Sequence, residues 1–75
     1  MKEQIEMVIA SPPDREHLVI ELWLGDTYLG EVNREDGTIR FEVDGGVNNP
    51  GWKVSVDELI RCIQLARDEI ETHHP

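Results

Sequence analysis

The chain has 75 residues, enough for one small domain, and its 7 Lys plus Arg against 16 Asp plus Glu give a formal charge of −9. With 39% hydrophobic residues it carries the apolar side chains a core needs, so the charge reads as an acidic surface on a folded domain spanning residues 1–75. A field of that sign repels phosphate backbones and anionic lipids, which argues against direct nucleic-acid or membrane binding and favours a protein partner with a basic surface.

Cys62 is the only cysteine, so no disulfide can staple the fold, and a single thiol suits a reducing compartment. Met1-Lys2 is followed at once by Glu3, Gln4 and Glu6 instead of the apolar run of a secretory signal. No apolar stretch approaches bilayer-spanning length. These features lead to the expectation of a cytoplasmic protein.

In chain order, residues 4–10 alternate, with Ile5, Met7 and Ile9 on one side and Glu6, Val8 and Ala10 on the other. That period of two is a strand signature, stopped by Ser11-Pro12-Pro13-Asp14, where two prolines remove ladder donors. Residues 17–24 read as a second strand. Leu18, Ile20, Leu22 and Leu24 share one face, and His17, Val19, Glu21 and Trp23 share the other. Gly25-Asp26 marks a turn, and residues 28–33 resume the alternation with Tyr28, Gly30 and Val32 against Leu29, Glu31 and Asn33. A three-residue loop, Gly25–Thr27, pairs Leu22 with Gly30 and Ile20 with Val32. A two-residue loop would set Ile20 against Glu31, so the longer loop is expected.

Asp36-Gly37 signals the next hairpin, and residues 38–43 read as a fourth strand with Ile39, Phe41 and Val43 on one side. Placing Asn33 opposite Thr38 sets Val32 against Ile39, Gly30 beneath the Phe41 ring and Glu31 against Arg40, a favourable charge pair. Residues 44–51 are turn-rich, and 52–55 could add a short extended piece. The spacing then predicts a helix over residues 56–72. Ser55 is a good N-cap with Glu58 three residues on, and Val56, Leu59, Ile60, Ile63, Ala66 and Ile70 make one apolar stripe. The expected fold is α+β, a four-stranded antiparallel meander with the C-terminal helix on one face. Its expected core is Ile5, Met7, Ile9, Leu18, Ile20, Leu22, Leu24, Tyr28, Val32, Ile39, Phe41, Val43, Leu59, Ile60, Ile63, Ala66 and Ile70.

Catalytic and cofactor motifs are missing. The sequence holds no glycine-rich phosphate loop, no paired-histidine zinc motif and no serine nucleophile elbow. Gly45-Gly46 lacks the lysine of a phosphate cradle and reads as a turn. Cys62 borders the apolar stripe and reads as a spectator thiol, and His73-His74 lack the spacing and support of a metal site. No enzyme, cofactor or metal is expected.

One helix covers one side of a four-stranded sheet. The other side is expected to present Glu6, Val8, Val19, Glu21, Trp23, Leu29, Glu31, Arg40 and Glu42. Trp23, Leu29 and Val19 would form an apolar centre, and Glu21, Glu31, Arg40 and Glu42 its charged surround, a composition suited to docking an Arg- or Lys-rich surface. Against this stands the ordinary solvated sheet face, or a Trp23 sheltered by the Trp52 loop. An acidic meander with one helix is a pattern of size and fold shared with toxin-immunity proteins and phage-encoded inhibitors of host defence. The resulting expectation is a non-enzymatic inhibitor or regulator of the immunity, antitoxin or anti-defence type. The alternative is an assembly module that forms a homodimer or subunit contact through the open face or an edge strand.

Overall fold

The computed structural model describes residues 4–13, 16–43 and 51–73. Its elements are β1 (Glu6–Ala10), β2 (Val19–Leu24), β3 (Thr27–Asn33), β4 (Arg40–Glu42) and α1 (Val56–His73). The strands form one antiparallel sheet in the order β1-β2-β3-β4 and the helix packs on one side of it, which is the expected α+β meander. Residues 51–55 form no strand, and most of the turn-rich connection, Gly45-Gly46 included, lies outside the described residues, as does His74.

The helix begins where its capping chemistry places it. Ser55 Oγ accepts from the Glu58 N–H at 3.3 Å, and Ser55 O accepts from the Leu59 N–H at 3.0 Å. The Glu58 carboxylate also reaches the sheet, accepting from the Ile5 N–H at 2.7 Å while gripping Arg61. This contact fixes the start of α1 beside the start of β1. Cys62, Ala66 and Ile70, four residues apart, are buried against Ile5, Ile20, Leu22, Leu29 and Val32. Leu24, Ile39, Phe41, Trp52, Val54, Leu59 and Ile63 pack around that centre. Each fully buried Leu or Ile contributes about 1.5–3 kcal/mol, so a domain of this size depends on nearly every one.

Both hairpins differ from expectation in an instructive way. In the first, Leu24 pairs with Thr27 across the two residues Gly25-Asp26, yet Leu22 still pairs with Gly30 and Ile20 with Val32. A β-bulge reconciles the two, because Leu29 is the extra residue between Trp23↔Tyr28 and Leu22↔Gly30. Gly25 has φ 60 and Asp26 has no positive φ, the pattern of a type II′ turn whose twist matches the strands. The bulge turns Leu29 onto the helix side beside Gly30, where it is 1% exposed, and moves Tyr28 to the opposite side. Tyr28 is therefore not a core residue.

In the second hairpin Val32 pairs with Phe41, Glu31 with Glu42 and Asn33 with Arg40, two residues away from the expected register. The Glu31–Arg40 pair does not form. Arg40 Nε instead donates to Asp36 Oδ2 at 2.6 Å inside the loop, where Asp36 Oδ1 also accepts from the Thr38 N–H. The Arg40 hydrogen bond, with the Thr38 N–H behind it, holds the Asp36 carboxyl below its ordinary range. The loop is closed by this local pair, and the strands begin after it.

The core also differs at its margin. Met7 and Ile9 face the helix side but stay exposed, because β1 is the sheet edge and α1 lies over the middle strands. Val43 follows the end of β4, and Ile60 points around the helix away from Cys62 and Ala66, so both are exposed as well. Leu18 is half-buried. Cys62, expected at the stripe's border, is fully buried.

Candidate functional site

Strand alternation carries Trp23 to the face opposite Leu22, and Leu22 is buried under the helix, so among the described residues no element packs over the face that carries Trp23. Its occupants follow from the registers. The first row across the sheet is Glu6–Trp23–Tyr28. The second is Val8–Glu21–Glu31–Glu42. Ala10–Val19 and Asn33–Arg40 lie at the far end.

The apolar centre differs from the expected Trp23–Leu29–Val19 group. Leu29 is in the core because of the bulge. Val19, though on the uncovered side, is 0% exposed. It lies at the end of the sheet where the connection before β2 meets the β3–β4 loop. There the Glu35 carboxylate accepts from the Glu16 and His17 N–H groups at 2.8 and 3.2 Å, and the Glu35 N–H donates to Asn33 Oδ1. Asn33 is buried at this end too. Neither Val19 nor Leu29 can touch a partner.

Tyr28 takes the place assigned to Leu29. Its ring lies 5.3 Å from that of Trp23, tilted by 59°, an edge-inclined arrangement that aromatic quadrupoles favour. Trp23 Nε1 donates to Glu21 Oε1 at 3.2 Å, which fixes the indole within the face. Both aromatics are half-buried. Trp52 packs on the helix side against the core and does not shelter Trp23. A signal for Tyr28 was present in the sequence: glycine inside a strand often marks a bulge, and Gly25-Asp26 favours a two-residue turn. The Glu35 clamp has no comparable signal, because a loop carboxylate is indistinguishable from any other in an acidic chain.

The carboxylates are organised more tightly than the sequence suggests. Glu21, Glu31 and Glu42 occupy adjacent positions on three neighbouring strands. Directly opposed side chains have Cβ atoms about 4.5–5.5 Å apart, and like charges there oppose pairing. Neutral donors on the same strands orient two of them: the Trp23 indole on Glu21, and Asn33 Nδ2 on Glu31 Oε2 at 2.8 Å. Arg40, expected within this surround, turns to Asp36.

Among the described residues no three His, Cys, Asp or Glu side chains converge to hold a metal ion, and no helix is long and apolar enough to cross a membrane. Burial pushes the Cys62 thiol up from its ordinary pKa. A thiol held protonated inside a core is a poor nucleophile. Comparison with protein-family models, with curated proteins and with solved structures finds no match. The reading of function therefore rests on the face itself.

Proposed function

We propose that the chain is a small, acidic, non-enzymatic protein-binding inhibitor or regulator of the cytoplasm, which uses the uncovered sheet face to occupy a basic surface on a partner protein. The observation that carries this reading is the Trp23–Tyr28 pair set beside the Glu21–Glu31–Glu42 row on the face left open by the helix. The aromatics supply area that is already oriented, so little side-chain freedom is lost on docking. The glutamates face one another across strands, and a partner's Arg or Lys side chains relieve that repulsion while gaining charge-assisted hydrogen bonds. Glu6, beside Trp23, extends the acidic surround. A partner that normally grips nucleic acid through the same basic surface would be blocked from doing so, an outcome suited to immunity, antitoxin or anti-defence roles.

The arrangement makes an unusual joint prediction for Glu31→Gln. Removing the central charge takes away two cross-strand like-charge pairs while a neutral amide oxygen still accepts from Asn33, so the free protein stays folded with stability within about 1 kcal/mol of wild type. The same change weakens binding to an arginine-rich peptide or to the native partner. Trp23→Ala leaves the far-UV circular dichroism unchanged and costs about 2 kcal/mol of affinity, roughly thirtyfold. Calorimetric titration of each variant, with urea unfolding as the stability measure, checks both. Unchanged affinity in two folded variants overturns the reading, as does a probe affinity that ignores salt.

A further inference from the structure

We propose that β1 is a homotypic edge: two copies pair their β1 strands antiparallel about Val8, joining both sheets into one continuous sheet. β1 is one of the two sheet edges, and its three central residues Met7, Val8 and Ile9 are 39%, 43% and 51% exposed. Edge strands are normally guarded by Lys, Pro, a bulge or an inward charge. Within Glu6–Ala10 there is no Lys, Pro or inward-pointing charge, the pairing with β2 runs without a register shift, and the one charged residue, Glu6, stands at the end of the strand. The opposite edge is guarded, since β4 has only three residues and two of them are Arg40 and Glu42.

The sequence of β1 is complementary to itself. Antiparallel pairing about Val8 sets Met7 opposite Ile9 and Glu6 opposite Ala10, so no carboxylate meets another. Either half of the strand's backbone groups, those of 6, 8 and 10 or those of 7 and 9, maps onto the same half in the second copy. The outward-facing half is therefore matched. Moving the centre to Met7 sets Ile9 and Ala10 opposite Ile5 and Gln4, which lie before the strand and of which Ile5 already gives its N–H to Glu58, and moving it to Glu6 sets two glutamates face to face. A dyad perpendicular to the sheet keeps both helices on one side, and Met7 and Ile9 then continue the core from one copy into the next. Leu65, 43% exposed, lies two turns beyond Glu58 on the helix flank that Glu58 ties to Ile5.

Charge decides how this association responds to salt. Two chains of −9 repel, with a screening length of about 30 Å at 0.01 M salt and about 3 Å at 1 M. An apolar, backbone-mediated dimer therefore strengthens as salt rises, whereas docking of the glutamate face on a basic partner weakens.

Sedimentation equilibrium over a range of concentrations at low and high salt reads the mass, 8.6 kDa for the monomer. The expected result is a shift toward twice that mass, greater at high salt, with slower amide hydrogen exchange at residues 6–10 as the dimer fills. Ile9→Lys and Val8→Lys replace exposed side chains, and each abolishes the dimer with the circular dichroism of the fold retained. Ile9 is on the helix side, so Ile9→Lys also leaves arginine-rich peptide binding at the glutamate face intact, which separates this test from that of the proposed function. A monomer at every concentration and salt overturns the proposal. So does a dimer that survives both substitutions, or one that forms without added protection of residues 6–10.

Discussion

At the scale of single residues, Gly30 carries the most consequence. It has φ +155, and a Cβ built on it would lie 2.5 Å from the Glu42 carbonyl oxygen and 2.7 Å from a carbon of the Phe41 ring. A side-chain ring can swing aside, but a carbonyl of the adjacent strand moves only with the strand. Gly30→Ala should therefore destabilise by about 3 kcal/mol, the upper end of what overpacking typically costs, seen as a lower urea midpoint at unchanged slope. A midpoint equal to wild type would show that β4 shifts freely. The close approach of the Phe41 ring to this glycine was readable from sequence, although the register that delivers it was not. Phe41 pairs with Val32, and its ring leans across to Gly30 from there.

At the scale of elements, packing and a directed polar contact, the Glu58 carboxylate on the Ile5 N–H, attach the helix to the sheet. Glu58→Ala removes a charged acceptor from a backbone donor next to a buried side chain. The expected cost is about 1.5–3 kcal/mol, with faster hydrogen exchange of the Ile5 amide and little change at β3. Equal loss of protection throughout the sheet would contradict that local role. Element identity was legible because period-two and helical patterns are long and unambiguous here, and Ser55 marked the helix start. Strand register was legible only in part. The Ile20–Val32 pairing followed from the hydrophobic pattern, but the bulge at Leu29 broke the alternation at the aromatic end. The β3–β4 register was lost because a local pair, Asp36 with Arg40, outcompeted the cross-strand Glu31–Arg40 pair that pattern alone favoured. Of the three residues expected at the apolar centre of the face, Leu29 was displaced by the bulge, and Val19 is buried at the end of the sheet where Glu35 binds the Glu16 and His17 N–H groups.

At the scale of the whole molecule, the net charge of −9 works against compactness, and the Glu21–Glu31–Glu42 row concentrates part of that repulsion on one face. Adding sodium chloride should raise the unfolding temperature of the free protein. A gain of about 1 kcal/mol corresponds to about 4–8 °C for a domain of this length, readable by scanning calorimetry. A flat or falling midpoint would mean that the glutamates are neutralised internally. The bulge has a wider effect than its size suggests. Because one surplus residue separates the hairpin's tip from its base, the two halves of β3 obey opposite parity, and each is read in its own frame. The tip can change its aromatic content, and with it the chemistry offered to a partner, while the base keeps Val32 and Leu29 seated under the helix. Recognition and folding are thereby written into one short strand as nearly independent instructions.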